Sequence, residues 1–327
     1  MTTLHDIAKA AGVTTATVSR ALNNEPGVKE QTRNKITAIA KQMNYSFGKA
    51  AKQPGAKPGS IGVIWSPPVG LFFNHLCNEL QRLASLRGQY VLVSFEPPAE
   101  AMRHLNDHLV EKIVFWCGTG WMPSLEFLQA RQQFRGEMVV IGGGRLEEAH
   151  RLAVDRTDAV MKAVRHLAEL GHERIAFVGA TTEKLTGYTL GLLENKLAYD
   201  PEFFIQADRF ELPEQQIARV LNKDNPARAT AVIVDSHGIL FPFIQTIRKL
   251  RLRVPDDFSL VVYESLPEME QLLDVPITSV GPSYKELAER SIRVLLGEEP
   301  GAAEGEWHDG TVPCELTVRQ STAAVSG

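Results

Sequence analysis

The first 45 residues carry apolar side chains at the spacing of short amphipathic helices. Two apolar stripes are separated by Gly12, which can adopt the left-handed backbone that ends a helix, and by Thr14, which can cap the next helix. The stripes consist of Leu4, Ile7, Ala8 and Ala11, and of Val18, Ala21 and Leu22. Two short helices joined by a tight glycine turn predict a helix-turn-helix, and hence an all-α N-terminal headpiece.

From about residue 61 the pattern changes to short apolar strands that alternate with amphipathic helices. The predicted strands are 61–65, 90–94, 113–116, 138–141, 175–179, 231–234 and 260–263, and the predicted helices include 74–87, 158–170, 188–197 and 239–250. Apolar strands separated by helices indicate parallel sheets that are covered on both faces. Because a second series begins at about Val154, we expect an α/β core of two parallel-sheet subdomains.

Charge is divided unevenly between the two parts of the chain. The 327 residues have a formal net charge of -4, with 35 Lys plus Arg and 39 Asp plus Glu. Residues 1–60 hold 9 basic and 3 acidic side chains, a net +6, and the remainder holds 26 and 36, a net -10. A basic end on an acidic body is typical of phosphate contact and predicts salt-sensitive binding of nucleic acid.

Other features narrow the class of protein. The N-terminus is a charged helix and not a signal peptide, and no apolar run approaches a membrane span, so we expect a cytoplasmic protein without membrane contact. Cys77, Cys117 and Cys314 are widely spaced, which favours buried reduced thiols, with no metal and no cofactor expected. The Gly142-Gly143-Gly144 run lacks the spacing of a nucleotide-binding loop, and no triad or paired acids suggest an enzyme.

Many residues at fixed spacing match one known family. The motifs are Asp6-Ile7-Ala8, Gly12-Val13-Thr14, Thr17-Val18-Ser19-Arg20 and Asn44-Tyr45 near the N-terminus, and Arg174-Ile175-Ala176, Val254-Pro255-Asp256-Asp257 and Pro276-Ile277-Thr278-Ser279-Val280 further on. The first set resembles the DNA-binding headpiece of the lactose-repressor (LacI/GalR) family. The second set is similar to that family's core, which is periplasmic-binding-protein-like. A helical bundle without DNA contact is the alternative interpretation of the headpiece.

The resemblance implies a division into domains and a function. Residues 1–45 would be the helix-turn-helix headpiece, 46–60 a hinge linker, and 61–327 the core for effector binding and dimerisation. Subdomain one would span about 61–153 and 282–310, and subdomain two about 154–281 and 311–327. The expected function is a homodimeric transcriptional repressor that binds double-stranded DNA at a near-palindromic operator and responds to a small-molecule effector such as a sugar.

The resemblance also assigns roles in DNA binding. Arg20 would contact a base with both arms of its guanidinium, and Thr15 and Ala16 would occupy specificity positions. The expected phosphate contacts are Thr17, Ser19, Asn23 and Tyr45, with nonspecific contacts from Lys49 and Lys52. For Ser19 and Asn23, helix capping or packing is the alternative. The family's hinge leucine, which wedges into the minor groove, is Pro54 here, so the sequence departs from the family at the wedge position, and Phe47 is the alternative wedge residue.

In such a core, effectors bind at the carboxyl ends of the strands, between the two sheets. The candidates there are Ser66, Phe72, Phe73, Trp116, Asp155, Tyr188, Asp235, His237 and Glu264. Tyr188 stands where the family commonly has a sugar-binding arginine, so the sugar signature is eroded. The aromatic and acidic candidates suit a sugar ring or a cationic metabolite. Three alternatives stay open: Phe72 and Phe73 as packing residues, Asp155 and Asp235 as helix caps, and His237 as an ordinary loop histidine. A regulator without any small ligand, or one that binds a partner protein, also remains open.

Overall fold

The computed structural model describes residues 4–22, 27–43, 59–65, 70–118, 120–180, 182–208, 210–299 and 307–325. The chain forms two compact units that divide between Pro58 and Gly59. The N-terminal unit is called the headpiece below, and the C-terminal unit is called the core.

Three helices form the described part of the headpiece: α1 (Leu4–Ala11), α2 (Thr15–Leu22) and α3 (Glu30–Gln42). Between α1 and α2, Gly12 has a φ of +71°, and the N–H of Val13 donates to the carbonyl of Ala8 over 3.0 Å. This bond closes the turn that the glycine makes possible. A small apolar core joins the helices: Ile7, Ala8, Ala11, Val18, Ala21, Ile36 and Ala40. The predicted helix-turn-helix is confirmed.

The core begins with a set of elements that we call the first lobe. They are β1 (Ser60–Trp65), α4 (Leu71–Ser85), β2 (Tyr90–Ser94), α5 (Pro98–Asp107), β3 (Lys112–Cys117), α6 (Leu125–Gln133), β4 (Glu137–Gly142) and β5 (His150–Val154). The chain then passes to the second lobe. Its elements are α7 (Arg156–Glu169), β6 (Ile175–Gly179), α8 (Glu183–Glu194), β7 (Phe204–Gln206), α9 (Glu214–Val220), β8 (Ala231–Val234), α10 (His237–Lys249), β9 (Ser259–Tyr263) and β10 (Thr278–Pro282).

The last elements connect the two lobes again. Helix α11 (Tyr284–Leu295) packs on α4 in the first lobe, β11 (Asp309–Val312) adds to the first sheet, and β12 (Cys314–Thr317) adds to the second. The chain therefore crosses between the lobes after Val154, after Pro282 and at Pro313.

Each lobe is built on a sheet of six described strands. The strand order is β11-β5-β4-β3-β1-β2 in the first sheet and β12-β10-β9-β8-β6-β7 in the second. All pairs are parallel except β10 and β12. Because only Pro313 separates β11 from β12, no crossover helix can reverse the chain before it enters the second sheet. The predicted core of two parallel-sheet subdomains is confirmed, with this one antiparallel edge.

Several helices differ from their predicted bounds. Helix α8 begins at Glu183, because the Thr182 side chain caps it by accepting a bond from the N–H of Lys184, so the predicted helix 188–197 starts too late. Gly187 lies in the part of α8 that the sequence analysis left out, and a Cβ there would lie 2.4 Å from the Thr157 carbonyl oxygen. Close packing of α7 and α8 therefore requires glycine at this position, although glycine has a low intrinsic helix propensity. Helices α5, α6 and α9 were not predicted from the sequence. None of the described helices has both the length and the apolar character needed to cross a membrane.

Two histidines attach the C-terminal residues to the second lobe. His172 is buried and contacts the hydroxyls of Thr230 and Ser259 and the Ala323 carbonyl at 2.9 to 3.0 Å. His166 lies 3.0 Å from the Thr322 hydroxyl. Burial lowers the pKa of both imidazoles below the ordinary value of 6.5. The folded core therefore favours their neutral forms.

We expect the free energy of unfolding of the core to fall as the pH is lowered through about 6.5. There the unfolded chain takes up protons at His166 and His172 while the folded chain resists them, and the loss continues until the pH passes the lowered folded-state pKa. Denaturant unfolding between pH 5 and pH 8, followed by circular dichroism, measures this slope. The His172→Gln protein should be less stable at pH 8 and have a flatter slope. Identical slopes for the variant and the wild type would contradict the assignment.

Candidate DNA-binding surface and core cleft

One face of α2 is left open by the packing of the headpiece. Val18 and Ala21 are buried against the other two helices, whereas Thr15, Ala16 and Arg20 are exposed. The helical period explains why these three side chains are exposed, because the buried positions lie on the opposite side of the helix. The structure thus presents the predicted base-contacting residues together on one surface.

Local bonds hold the start of α2. The N–H of Thr17 donates to the Thr14 hydroxyl over 3.2 Å, and the two threonine hydroxyls lie 2.9 Å apart. Thr14 is therefore the helix cap, as predicted, and Thr17 shares in the cap. The ammonium of Lys35 on α3 donates to the carbonyl of Ala11 over 3.2 Å and satisfies the end of α1. Ser19 is half-buried.

Several predicted DNA-binding positions lie outside the described residues. They are Asn23, Tyr45, Lys49 and Lys52, together with Pro54 in the linker. Their assigned roles stay predictions. Ser66, the first of the effector candidates, also lies outside the described residues.

In the core, an aromatic wall ends the first sheet at the cleft. Trp65 and Trp116 are partners in the register of β1 and β3, and their rings stack with centroids 4.1 Å apart. Phe73 lies 4.8 Å from the Trp65 ring, and Phe72 lies 5.9 Å from the Trp116 ring. Both phenylalanines are at most 5% exposed. They support the tryptophans as packing residues, and Trp116 is the half-buried member of the wall.

A guanidinium from the second lobe lies against this wall. Arg156, the first residue of α7, is 5.7 Å from the centroid of the Trp116 ring. Its Nη1 donates to Glu183 Oε1 over 2.7 Å, at the start of α8. Only 11% of its side chain is exposed. An arginine with one face on an aromatic ring and a carboxylate partner is a rigid, charged donor group at the cleft.

A second cation covers the end of β9. The Lys184 ammonium lies 4.0 Å from the centroid of the Tyr263 ring and donates to the Asp235 carbonyl over 2.5 Å. The Tyr263 hydroxyl is buried and has no hydrogen-bond partner among the described residues. Burial raises the pKa of this hydroxyl well above its ordinary value, although the nearby Arg156 acts in the opposite direction. Tyr263 is therefore a neutral donor in a charged surrounding.

Two acidic candidates have partners within the chain. Asp235 is buried, and its Oδ2 accepts from the N–H of Ala180 over 3.0 Å. Glu264 accepts from Nδ1 of His237, and Nε2 of His237 accepts from the N–H of Leu71 over 2.9 Å. His237 is buried and is the first residue of α10, so its interpretation as an ordinary loop histidine was wrong. Asp235, His237 and Glu264 lie at the carboxyl ends of β8 and β9, where candidates were expected.

Tyr188 does not reach the cleft. Its side chain is fully buried, stacks on Phe177 with centroids 5.4 Å apart, and donates its hydroxyl hydrogen to the Ile175 carbonyl over 2.8 Å. Ile175 begins β6, so this hydroxyl lies at the opposite end of the strand from the cleft. Burial raises its pKa, and Tyr199 and Asp200 add to the shift. The prediction of Tyr188 as an effector residue is wrong, because α8 turns this position into the core.

Asp155 serves as a helix cap. Its Oδ1 accepts from the N–H of Asp158 over 2.9 Å at the start of α7. This was one of the two interpretations that the sequence left open.

The described residues contain no group of His, Cys, Asp and Glu side chains arranged for a metal ion. Cys77, Cys117 and Cys314 are unpaired thiols. Burial raises the pKa of Cys117 to about 11 and of Cys77 and Cys314 to about 12. These thiols are therefore protonated and poor nucleophiles at neutral pH.

A helix-turn-helix unit followed by a two-lobed parallel α/β core is the architecture of a DNA-binding regulator with a ligand-binding core. Comparison with known families agrees. Residues 3–46 match the model of bacterial regulatory proteins, lacI family, and residues 164–322 match the periplasmic binding protein-like domain.

Full-length relatives have the same organisation. The transcriptional regulator DegA of Bacillus subtilis (strain 168) is 25% identical over 99% of both chains. The transcriptional repressor CytR of Escherichia coli (strain K12) is 26% identical over 99% of this chain and 97% of its own. The Lac repressor dimer bound to operator and the anti-inducer ONPF shares the fold, with a TM-score of 0.65, 22% identity and 99% coverage of both chains. This chain is therefore similar over nearly its whole length to regulators with the DNA-binding domain of the lacI family, and it is a DNA-binding transcription regulator.

Sequence reasoning missed some of the residues that the structure brings into the cleft. Arg156 and Lys184 each follow the carboxyl end of a strand by a few residues. This position could have identified both as cleft residues from the sequence. His75 and Glu268 face each other with a His75 Nε2 to Glu268 Oε1 distance of 2.9 Å, although 193 positions separate them. No local pattern marks such a pair.

We expect Tyr188→Phe to lower the free energy of unfolding by about 1 kcal/mol, because the variant loses one buried hydrogen bond while its ring packing is retained. Guanidinium unfolding measures the change. The matched control is Tyr199→Phe, at a position that is 47% exposed, which should change stability by less than about 0.5 kcal/mol. A Tyr188→Phe protein of unchanged stability would contradict this placement of Tyr188 in the core.

Proposed function

We propose that this chain is a homodimeric transcriptional repressor whose two headpieces bind the half-sites of a near-palindromic operator. The exposed face of α2 carries this proposal, because Thr15, Ala16 and Arg20 point away from a fully packed headpiece core. The relatives support repression: CytR is named a repressor, and the Lac repressor structure is a dimer bound to operator. A two-fold protein matches two-fold DNA.

The candidate DNA-binding residues divide into two roles in this proposal. Arg20 presents two parallel donors to the major-groove edge of a guanine, and Thr15 and Ala16 contact neighbouring bases such as a thymine methyl. Thr17, Ser19, Asn23, Tyr45, Lys49 and Lys52 contribute to phosphate binding. The proposed functional division is a headpiece of residues 1–45, a hinge linker of 46–60 and a core of 61–327.

The edge of the first sheet suits the dimer interface. Strand β2 is an edge strand, and Tyr90, Leu92 and Phe95 on or just after it are 59%, 40% and 60% exposed. Tyr90 and Leu92 are two positions apart, so they lie on the same face of the strand. A row of large exposed apolar side chains beside an unpaired strand edge is expected where a second copy of the chain packs.

The cleft between the lobes is the proposed effector site. Trp116 provides an aromatic face, Arg156, Lys184 and Tyr263 provide donors, and Asp235, His237 and Glu264 provide acceptors or exchangeable partners. This mixture of one aromatic face and several hydrogen-bonding groups fits a sugar-like metabolite. Phe72, Phe73, Asp155 and Tyr188 are left out of the effector site, because their side chains serve packing or capping.

A second function is a DNA-binding regulator without a small-molecule effector. One observation favours it: Asp235, His237 and Glu264 are all bonded within the chain itself. In either case we propose that the protein acts in the cytoplasm on DNA and is not an enzyme, because no nucleophile with a nearby base is found among the described cleft residues.

We expect Arg20→Ala to lose about 1–3 kcal/mol of discrimination between operator and random DNA while it retains low-salt binding. The operator is first selected by the wild-type protein from a random duplex pool. Competition binding with that operator and random DNA then measures the preference. Arg20→Lys should recover affinity but little preference, since an ammonium lacks the planar fork.

The matched control for Arg20 is Lys9→Ala, which removes one exposed charge from α1. It should weaken binding to operator and random DNA alike. An unchanged preference in Arg20→Ala would eliminate Arg20 as a base-contacting residue. Failure of the wild type to enrich any site would overturn the proposed function itself.

Placing carboxylates at the sheet edge should separate the dimer. We expect the Tyr90→Asp/Phe95→Asp protein to sediment as a monomer at concentrations where the wild type is a dimer, and to bind operator more weakly, because the two half-sites are no longer linked. Sedimentation velocity checks the first expectation. Met122→Asp, at a position between β3 and α6 that is 81% exposed, should remain dimeric. A dimeric double variant would show that the interface lies elsewhere.

A further inference from the structure

Helix α4 begins at the cleft, and a side chain of the opposite lobe satisfies its first N–H group. The first N–H groups of a helix have no intrahelical partner. The N–H of Leu71 donates instead to His237 Nε2, over 2.9 Å. Leu71 belongs to the first lobe and His237 to the second, so this bond spans the cleft.

The Leu71 bond determines the tautomer of the imidazole. Because Nε2 accepts, the hydrogen of the neutral ring lies on Nδ1, which donates to the Glu264 carboxylate. Glu264 has a φ of +84°, an uncommon conformation for a residue other than glycine. Both ring nitrogens are therefore used, one towards each lobe.

The backbone of the first lobe is shaped to admit this ring. Gly70 has a φ of +107°, and a Cβ at this position would lie 2.8 Å from Cε1 and 2.9 Å from Nε2 of His237. Any larger residue would displace the imidazole. Close approach of the histidine thus depends on a glycine just before the helix.

A second contact joins the same helix to the same loop. His75 lies one turn further along α4, and its Nε2 is 2.9 Å and 3.0 Å from the two carboxylate oxygens of Glu268. Glu268 is in a short 3-10 turn, Pro267–Glu270, that follows Glu264. Burial raises the pKa of Glu268, but hydrogen bonds from its own N–H and from His75 outweigh burial, and the net result is a lowered pKa. The carboxylate is therefore charged when it contacts His75.

We propose that His237 and His75 form a latch that holds the two lobes closed in the absence of an effector. The latch consists of Leu71 and His75 on α4, and of His237, Glu264 and Glu268 on the second lobe. Among the described residues the two lobes are joined covalently by three crossings, so the side-chain contacts between facing elements decide whether the cleft stays closed.

The regulatory role of the latch rests on the proposed function, whereas the contacts that form the latch do not. His237 uses the same donor and acceptor that an effector at this end of the cleft would need, the Leu71 N–H and the Glu264 carboxylate. In an effector-controlled regulator the ligand competes with this imidazole. In a regulator without an effector the latch keeps the core in one form.

The experiment compares full-length variants without DNA by X-ray scattering and by amide hydrogen exchange with mass spectrometry. We expect His237→Ala/His75→Ala to have a larger radius of gyration than the wild type. Exchange should be at least about tenfold faster in both segments, 70–76 and 264–270, since opening exposes both sides of the cleft. His75→Ala alone, at a partly exposed pair, should show a smaller change of the same kind and guards against misfolding of the double variant.

His104→Ala is the matched control, because His104 pairs with Glu96 within the first lobe at a Nδ1 to Oε2 distance of 2.6 Å. It should match the wild type in both measurements. His237→Gln keeps an acceptor and a donor on one side chain and should remain closed. If it opened as far as His237→Ala, the proposed role of this hydrogen bond would be overturned.

The latch as a whole would be overturned if the double variant scattered like the wild type and exchanged faster at Leu71 alone. Selection of DNA sites by the wild-type protein tests the proposed function separately. A protein that selects no site but opens on removal of both histidines would overturn the regulator and support the latch.

Discussion

Parallel strands place all their carboxyl ends at one edge of a sheet, and the function of this core depends on that constraint. Two such edges meet here. The side chains that follow the strands, from Trp116 on the first sheet to Asp235 and Glu264 on the second, are therefore brought together although they are far apart in the chain. Helices on the sheet faces bury the apolar strands, and the edge is left as the place where polar groups from both lobes can meet.

Most of the polar groups described in the cleft pair with one another, and the Tyr263 hydroxyl is an exception. Arg156 pairs with Glu183, Lys184 covers Tyr263, and His237 joins Leu71 to Glu264. A buried polar group without a partner is costly, so a closed cleft is stable only when such pairs form. A ligand that opens or reorganises the cleft must supply equivalent bonds, and this requirement limits effectors to molecules with several donors and acceptors.

The headpiece depends on an exposed surface and on its net charge, whereas the cleft depends on paired polar groups. Its apolar core is small, built from alanines as much as from larger residues, and leaves one face of α2 exposed. The excess of basic side chains in residues 1–60 attracts phosphates over a distance, whereas the exposed side chains of α2 act only in contact. Affinity and sequence preference are thus separable, because they arise from different residues of the same unit.

The sequence alone determined the helix-turn-helix, the alternation of strands and helices, and the two subdomains of the core, because local periodicity and turn residues predict each of them. It also determined which residues of α2 are exposed, since the period of a helix settles the face. Only the tertiary structure decided the cleft. Tyr188 was predicted to lie in the cleft from its aligned position, yet the packing of α8 on α7 places its side chain in the core. Asp155 was also predicted to lie in the cleft, but its carboxylate caps α7. His75 and Glu268, or Leu71 and His237, meet only after both lobes have formed, because contacts across more than 160 residues leave no trace in local pattern.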